Sequence, residues 1–520
     1  MENNTDAASS HRTDWPMFIT TVLVVLALAI PMVAFKDQAA GVITAAYDGI
    51  TGSVGLFYLW YGAGAVAFLL WLAVGRYGKV RLGDADSRPE FSTLSWVGML
   101  FCAGIGAGLL YWAVIEWGYY IDKPPYGLEP RSASAIEWAA SYGMFHWGIT
   151  GWAIFALPTI AIAYPYYVRR VPYLRASTGA SGVLPGGVTG RPGRVVDFIY
   201  MVNLICGTGT SLGLSTPMIA AALAKLFGLE HDFVFEVAVV LLCIAIFGTS
   251  AYLGLKRGFK RLADAAIVAS LLLLLFVLVV GPTLFILKMG TNGIGLMLQN
   301  FIRMNTWTDP VANTGFVENW TIFYWAWWLA YGPFVGIFVT RISHGRTIRN
   351  VIGGMLTFGS LGAAMFFIVL GNYALNLELT GALNVTGLMK SVGEAQAITT
   401  VMSSLPWGTL VLAAFTVVAL LLLVTTYDSA SYTLASVSTM RLEAGFDPAR
   451  WNRVFWACAL GVLPITLMFI DGGLKVILSA TIVCSLPLLA VGVLMAMSLL
   501  KMLREDEARA GLPGEQHGAV

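Results

Sequence analysis

The sequence predicts an all-α integral membrane protein with about twelve transmembrane helices, and three observations carry that expectation. Of its 520 residues 58% are hydrophobic and 12% charged, with a mean hydropathy of +0.75, far outside the composition of soluble globular chains. Apolar runs long enough to cross a hydrocarbon core of about 30 Å recur along the whole chain. Between those runs, Lys and Arg gather on alternate loops. A net charge of +2 gives no bias toward nucleic acid or another polyanion. The five cysteines (Cys102, Cys206, Cys243, Cys458 and Cys484) lie inside apolar segments with no paired or metal-ligand spacing, which fits small buried hydrophobes.

Residues 1–16 form a polar tail. The first apolar run, Met17 to Phe35, has no short apolar core followed by a small-residue cleavage site, and reads as a retained helix. Further runs lie near residues 54–75, 94–118, 140–167, 198–226, 233–254, 262–287, 317–340, 350–375, 408–437, 452–470 and 476–500. Basic clusters follow the even-numbered runs: Arg76, Lys79, Arg81 and Arg88 after the second, Arg169, Arg170 and Arg175 after the fourth, Lys256, Arg257, Lys260 and Arg261 after the sixth. Both termini are therefore expected in the cytoplasm. Residues 288–316 fall outside and contain GIGLMLQNFIRM, which suits an amphipathic helix lying on the membrane surface. Residues 501–520 read as a solvated cytoplasmic end.

Secondary transporters often contain two inverted repeats whose leading helices are interrupted near the bilayer midplane, and paired Gly or Pro interruptions mark the site. Gly104, Gly106 and Gly108 interrupt the third run, and Gly332 with Pro333 is expected to break the eighth. The two lie five runs apart, so residues 94–287 and 317–500 would be the repeats and residues 17–93 two accessory helices. On spacing alone the three glycines equally suit close helix packing.

In the eighth run, FYWAWWLAYGPFVG, the residues Tyr324, Trp327, Trp328 and Tyr331 are spaced to share one helical stripe. Trp327, Trp328 and Tyr331 sit too deep for an interfacial belt, and aromatic faces are receptors for cations. The tenth run carries TTYDSAS, whose hydroxyl and carbonyl oxygens are the ligands a hard cation prefers, although hydrogen bonding between helices is the plainer reading of Ser429 and Ser431. Glu116 reads as a local anchor and His146 as a satisfied structural histidine. No nucleophile with a base and no HExxH is present, and GTGTSLG lacks the Lys of a phosphate loop, so no enzyme is expected.

FYWAWW, PFVG and RISHGRT, with FHWG, SLGL and TTYDSAS, resemble the betaine/carnitine/choline transporter family from about Trp15 to Lys501. The resemblance implies a LeuT-type fold of two inverted five-helix repeats, a homotrimer in the lipid of the bacterial inner membrane, and a small quaternary ammonium substrate carried by alternating access. It implies a cage of Trp147, Trp152, Trp327 and Trp328, with Tyr119 where carnitine exchangers place a tyrosine and Tyr331 toward the cytoplasmic exit. Backbone N–H groups around Gly104, Gly106 and Gly108 would receive a substrate carboxylate.

The glycine-rich third run resembles sodium-coupled members, and Ala266 and Val335 stand where sodium-independent exchangers carry an arginine and a methionine. Sodium as the coupling ion, with no other cofactor, would be held by the carbonyls of Cys102 and Ile105 and the hydroxyls of Thr425 and Thr426. Thr208 and Phe334 match a second sodium site, but Leu204 and Ala266 replace a threonine and an asparagine there. The resemblance thus implies sodium symport of glycine betaine, carnitine or dimethylsulfoniopropionate, with sodium-independent exchange or choline uptake as alternatives.

Overall fold

The computed structural model describes residues 12–104, 106–253, 256–441, 447–469 and 473–510. Among these, extended pairing is confined to two isolated bridges, Thr13 with Thr439 and Arg81 with Thr347. A bilayer core offers no water to backbone N–H and C=O groups, and a helix satisfies them within its own segment.

α1 (Trp15–Ala34) starts with Pro16 in its first turn and the Asp14 carboxylate accepting from the Met17 N–H at 3.3 Å. α2 (Lys36–Val74) follows after Phe35. The third expected span is two helices, α3 (Thr93–Gly104) and α4 (Gly108–Asp122). The fourth is also divided, into α5 (Ala133–His146) and α6 (Ile149–Tyr167). α7 (Arg191–Phe227), α8 (Phe233–Leu253) and α9 (Lys256–Val280) complete the first half.

The connection between the halves holds α10 (Thr283–Gln299) and a short helix, Phe301–Thr306. α10 starts before the expected 288; Ile286, Gly290 and Gly293 are buried, and its exposed face includes Leu284, Leu287 and Leu298. The second half begins with a π-helical stretch, Val317–Ile322, leading into α11 (Phe323–Ile342). α12 (Ile348–Leu379) contains two more π-helical segments, Met355–Gly359 and Phe367–Gly371. α13 (Gly408–Val437), α14 (Arg450–Ala459), α15 (Val462–Phe469) and α16 (Gly473–Ala510) follow.

Among the described residues ten helices are long and apolar enough to cross a membrane, and the stretches expected as spans three and eleven are each divided into two shorter helices. Burial separates centre from periphery. The most apolar windows of α5–α6 and of α11 are 94% buried, against 28% for α1 and 22% for α8. The outer helices present Leu23, Ile30, Leu241, Leu242, Leu271 and Leu272 outward, a surface suited to acyl chains rather than water. α6 packs along α11, and α7 along α13, so these four form the middle of the molecule.

α16 continues through Ala510, past Lys501 where a solvated end was expected. Its last turns are docked: Asp506 accepts from Arg169 Nε at 2.8 Å and from the Tyr164 hydroxyl at 2.6 Å, and Glu507 pairs with Arg76 at 2.8 Å.

Candidate functional site

Two backbone interruptions meet at the centre. Between α3 and α4 the chain leaves the helix, with Gly106 non-helical and the Leu109 N–H reaching the Gly106 carbonyl at 3.1 Å. Gly106 is the tighter position, since a methyl carbon there would lie 3.2 Å from Thr426 Oγ1, whereas one on Gly108 would make ordinary contact, 3.5 Å from the Trp327 ring and from Ser211 Oγ. The second interruption lies in the fourth span, not at the expected Gly332–Pro333. Trp147 ends α5, and Gly148 (φ −96°, ψ −146°) precedes α6 with its Cα so close to the preceding turn that a methyl carbon would lie 2.4 Å from the Met144 carbonyl oxygen.

α11 runs unbroken through Gly332 and Pro333. Proline removes one helix hydrogen bond but leaves the rest of the ladder, and neighbouring helices in a membrane hold such a segment straight. Close packing is tightest at Gly336, where a methyl carbon would lie 3.1 Å from the Pro158 carbonyl carbon; one on Gly332 would make ordinary contact with Pro158 Cγ at 3.5 Å.

The ends of these segments bring four aromatics around one cavity: Trp147, Trp327, Trp328 and Tyr331, with Gly106, Gly108, Ser211 and Thr426 completing its wall. The Trp327 and Trp328 rings stack at 5.0 Å with 9° between their planes. Trp147 stands edge-on to both, at 4.7 Å from Trp328 and 5.9 Å from Trp327, and Tyr331 is edge-on to Trp327 at 6.3 Å. The indoles are pinned. Trp328 Nε1 donates to the His146 carbonyl at 2.9 Å, satisfying one of the acceptors left open where α5 ends, and Trp327 Nε1 donates to the Gly207 carbonyl at 3.4 Å. The space open to the centre of a water-sized sphere is about 10 Å³, room for about one water.

Of the expected cage, Trp152 and Tyr119 are placed elsewhere. Trp152 is 2% exposed and packs edge-on against Phe155 at 5.7 Å, with its ring pressed onto Gly359, where a methyl carbon would lie 2.2 Å away. The turn at Trp147–Gly148 resets the helix phase, so two tryptophans five residues apart point to different neighbours. Tyr119 belongs to an outer aromatic layer with Trp320 at 5.2 Å and Trp112 at 6.3 Å, and its hydroxyl donates to Glu394 at 2.6 Å.

Behind the cage lies a network stronger than the local anchor expected of Glu116. Its fully buried carboxylate accepts from the Tyr324 hydroxyl at 2.6 Å and from the Tyr120 hydroxyl, with His146 Nδ1 3.5 Å away. His146 Nε2 meets Thr321 Oγ1 at 3.1 Å and its ring stacks on Tyr324 at 4.7 Å, so the histidine is satisfied as expected. Tyr324 therefore backs Trp328, 5.7 Å away, rather than facing the cavity. Ser211 is the wall residue that sequence reasoning misses; its only signal is its place in SLGL, one turn beyond Gly207 on α7.

For the ion, Thr426 is at the cavity and abuts the α3–α4 interruption. The Thr425 hydroxyl donates to the Leu421 and Leu422 carbonyls at 3.0 Å and that of Thr426 to Leu422 at 2.9 Å, which leaves oxygen lone pairs for a cation. Cys102 lies on α3, beside Gly104 at its end, and Ile105 falls outside the described residues. Thr208 and Phe334 are both buried, but the Thr208 carbonyl already accepts from the Tyr427 hydroxyl at 2.5 Å and Phe334 packs edge-on to Tyr331 at 5.9 Å.

Divided helices that converge on an aromatic cavity inside a helical membrane protein suit the binding of a small solute at membrane depth. Residues 16–508 match the betaine/carnitine/choline family of transporters, and the chain belongs to that family. It is 36% identical over 447 residues to the uncharacterized transporter YeaV of Escherichia coli, covering 85% of this chain and 92% of that one. It is 35% identical over 445 residues to the carnitine transporter of Acinetobacter baumannii, covering 86% of this chain and 80% of the relative.

Proposed function

We propose that the chain is a sodium-coupled symporter of a zwitterionic quaternary ammonium compound, carnitine first among them, working by alternating access in a LeuT-type fold. The observation that carries this reading is the convergence of Trp147, Trp327, Trp328 and Tyr331 on one cavity beside the α3–α4 interruption. A trimethylammonium group has no proton to donate, and aromatic faces attract it with about 2 kcal/mol per desolvated contact. The carbonyl end of α5, which carries Trp147, adds partial negative charge on the same side. The positive end of the α4 dipole, at Gly108, offers partial positive charge to the carboxylate at the other end of the substrate.

Thr426 supports the sodium reading, because its hydroxyl sits between the cavity and the interruption, where ion and substrate would share one wall. One sodium is the reading favoured here, since Leu204 and Ala266 stand where the second site would need a threonine and an asparagine. Both termini in the cytoplasm, the bacterial inner membrane and a homotrimer complete the proposal. Uptake of labelled carnitine and glycine betaine into proteoliposomes is expected to rise with an inward sodium gradient, and Thr426→Ala is expected to lose that dependence. Equal uptake with and without the gradient would point instead to the sodium-independent exchanger.

A further inference from the structure

The cysteines, scattered in sequence, are not scattered in space. Cys206 on α7 and Cys484 on α16 are 278 positions apart, and their sulphur atoms lie 2.7 Å from each other. Cys206 is buried and Cys484 half-buried, so the pair is reached from one side. The helices on either side are held in register one turn away, where the Thr210 and Thr481 hydroxyls hydrogen-bond across the same seam. Cys206 precedes Gly207, whose carbonyl accepts from Trp327 Nε1 and whose Cα lies under the Tyr331 ring, 3.2 Å from where a methyl carbon would stand. Cys206 thus adjoins along α7 the residue that holds Trp327.

We propose that Cys206 and Cys484 form a site of reversible disulfide formation that fastens α7 to α16 and arrests transport. The oxidant is a peroxide. Cys484, the more accessible thiol, loses two electrons to hydrogen peroxide, giving a sulfenic acid and one water. The Cys206 sulphur then attacks the Cys484 sulphur, the S–O bond breaks, and a second water leaves with the Cys206 proton. A disulfide needs an S–S distance of about 2.05 Å, so the two sulphurs have only a short distance to close. The arrest rests on the alternating-access reading above, because a covalent tie between α7 and α16 opposes only a transporter whose helices shift against each other; the pairing does not depend on it.

The test is peroxide treatment of the full chain in proteoliposomes, followed by alkylation of remaining thiols under denaturing conditions and mass spectrometry of the peptides. Peptides containing Cys206 and Cys484 are expected to be joined, carnitine uptake to lose most of its rate, and dithiothreitol to reverse both. Cys206→Ser and Cys484→Ser, with the Ala variants as substitutes where Ser disturbs folding, are expected to remain un-joined and to keep their uptake under peroxide. Full alkylation of both cysteines after peroxide overturns the pairing. A joined pair with unchanged uptake overturns the arrest, and a Cys484→Ser protein as peroxide-sensitive as the parent does the same.

Discussion

Trp328 has its face against Trp327, its edge neighbour in Trp147 and its one donor on the His146 carbonyl, so it has no freedom left that the site does not use. Trp328→Leu removes both the cation-attracting face and the pin. Loss of about 2 kcal/mol of cation attraction corresponds to roughly 30-fold weaker binding, measurable by calorimetry on the solubilised protein. Unchanged affinity would sink the cage. Glu116 acts from behind: it touches no cavity, yet it fixes Tyr324 and Tyr120. Glu116→Gln keeps one acceptor oxygen and turns an amide NH₂ toward the other tyrosine hydroxyl. A buried hydroxyl left without an acceptor costs about 1–3 kcal/mol, so Tm is expected to fall, and substrate affinity to fall less than in Trp328→Leu.

At the level of elements, α11 and the α5–α6 turn divide the work differently from the sequence pattern. Pro333 lies within a continuous helix, so Pro333→Ala is expected to leave uptake intact and to hold or raise Tm by restoring a hydrogen bond. If that variant transports nothing, Pro333 is a hinge after all. The interruption of the third span was legible because three glycines within five residues remove both the side-chain contacts and the stiffness of a helix. The interruption at Trp147–Gly148 was not, because a single glycine inside an apolar run is also what close packing looks like, and only the 2.4 Å approach to Met144 distinguishes the two. Trp152 entered the expected cage through the family resemblance, and its direction depends on the phase change at Trp147–Gly148, which a matched position does not reveal. The paired cysteines were invisible because spacing along the chain carries no information about which helices become neighbours.

For the molecule as a whole, composition was enough to establish a helical membrane protein, and the apolar runs located nearly every helix. The tail was the exception. Charges such as Glu505, Asp506 and Glu507 look solvated until their partners, more than 300 positions earlier, are known. Ending the chain before Lys501 strips Arg169 of both its carboxylates and Tyr164 of its acceptor. The shortened protein is expected to unfold at lower temperature, with the difference from the parent shrinking as salt screens these partly exposed pairs.

The narrowness of the cavity bears on which solutes it can admit. With about one water's room beside its aromatic rings, a guest the size of a trimethylammonium group fits only if its neighbours move apart. Whatever it brings must replace the contacts it breaks. Three methyl groups around a positive charge offer both apolar surface and attraction to ring faces; a protonated amine such as that of glycine offers charge but would surrender its water for aromatic carbon. Under the proposed function, discrimination against the primary amines of amino acids would come from the work of making room among the rings, without any residue dedicated to rejecting them.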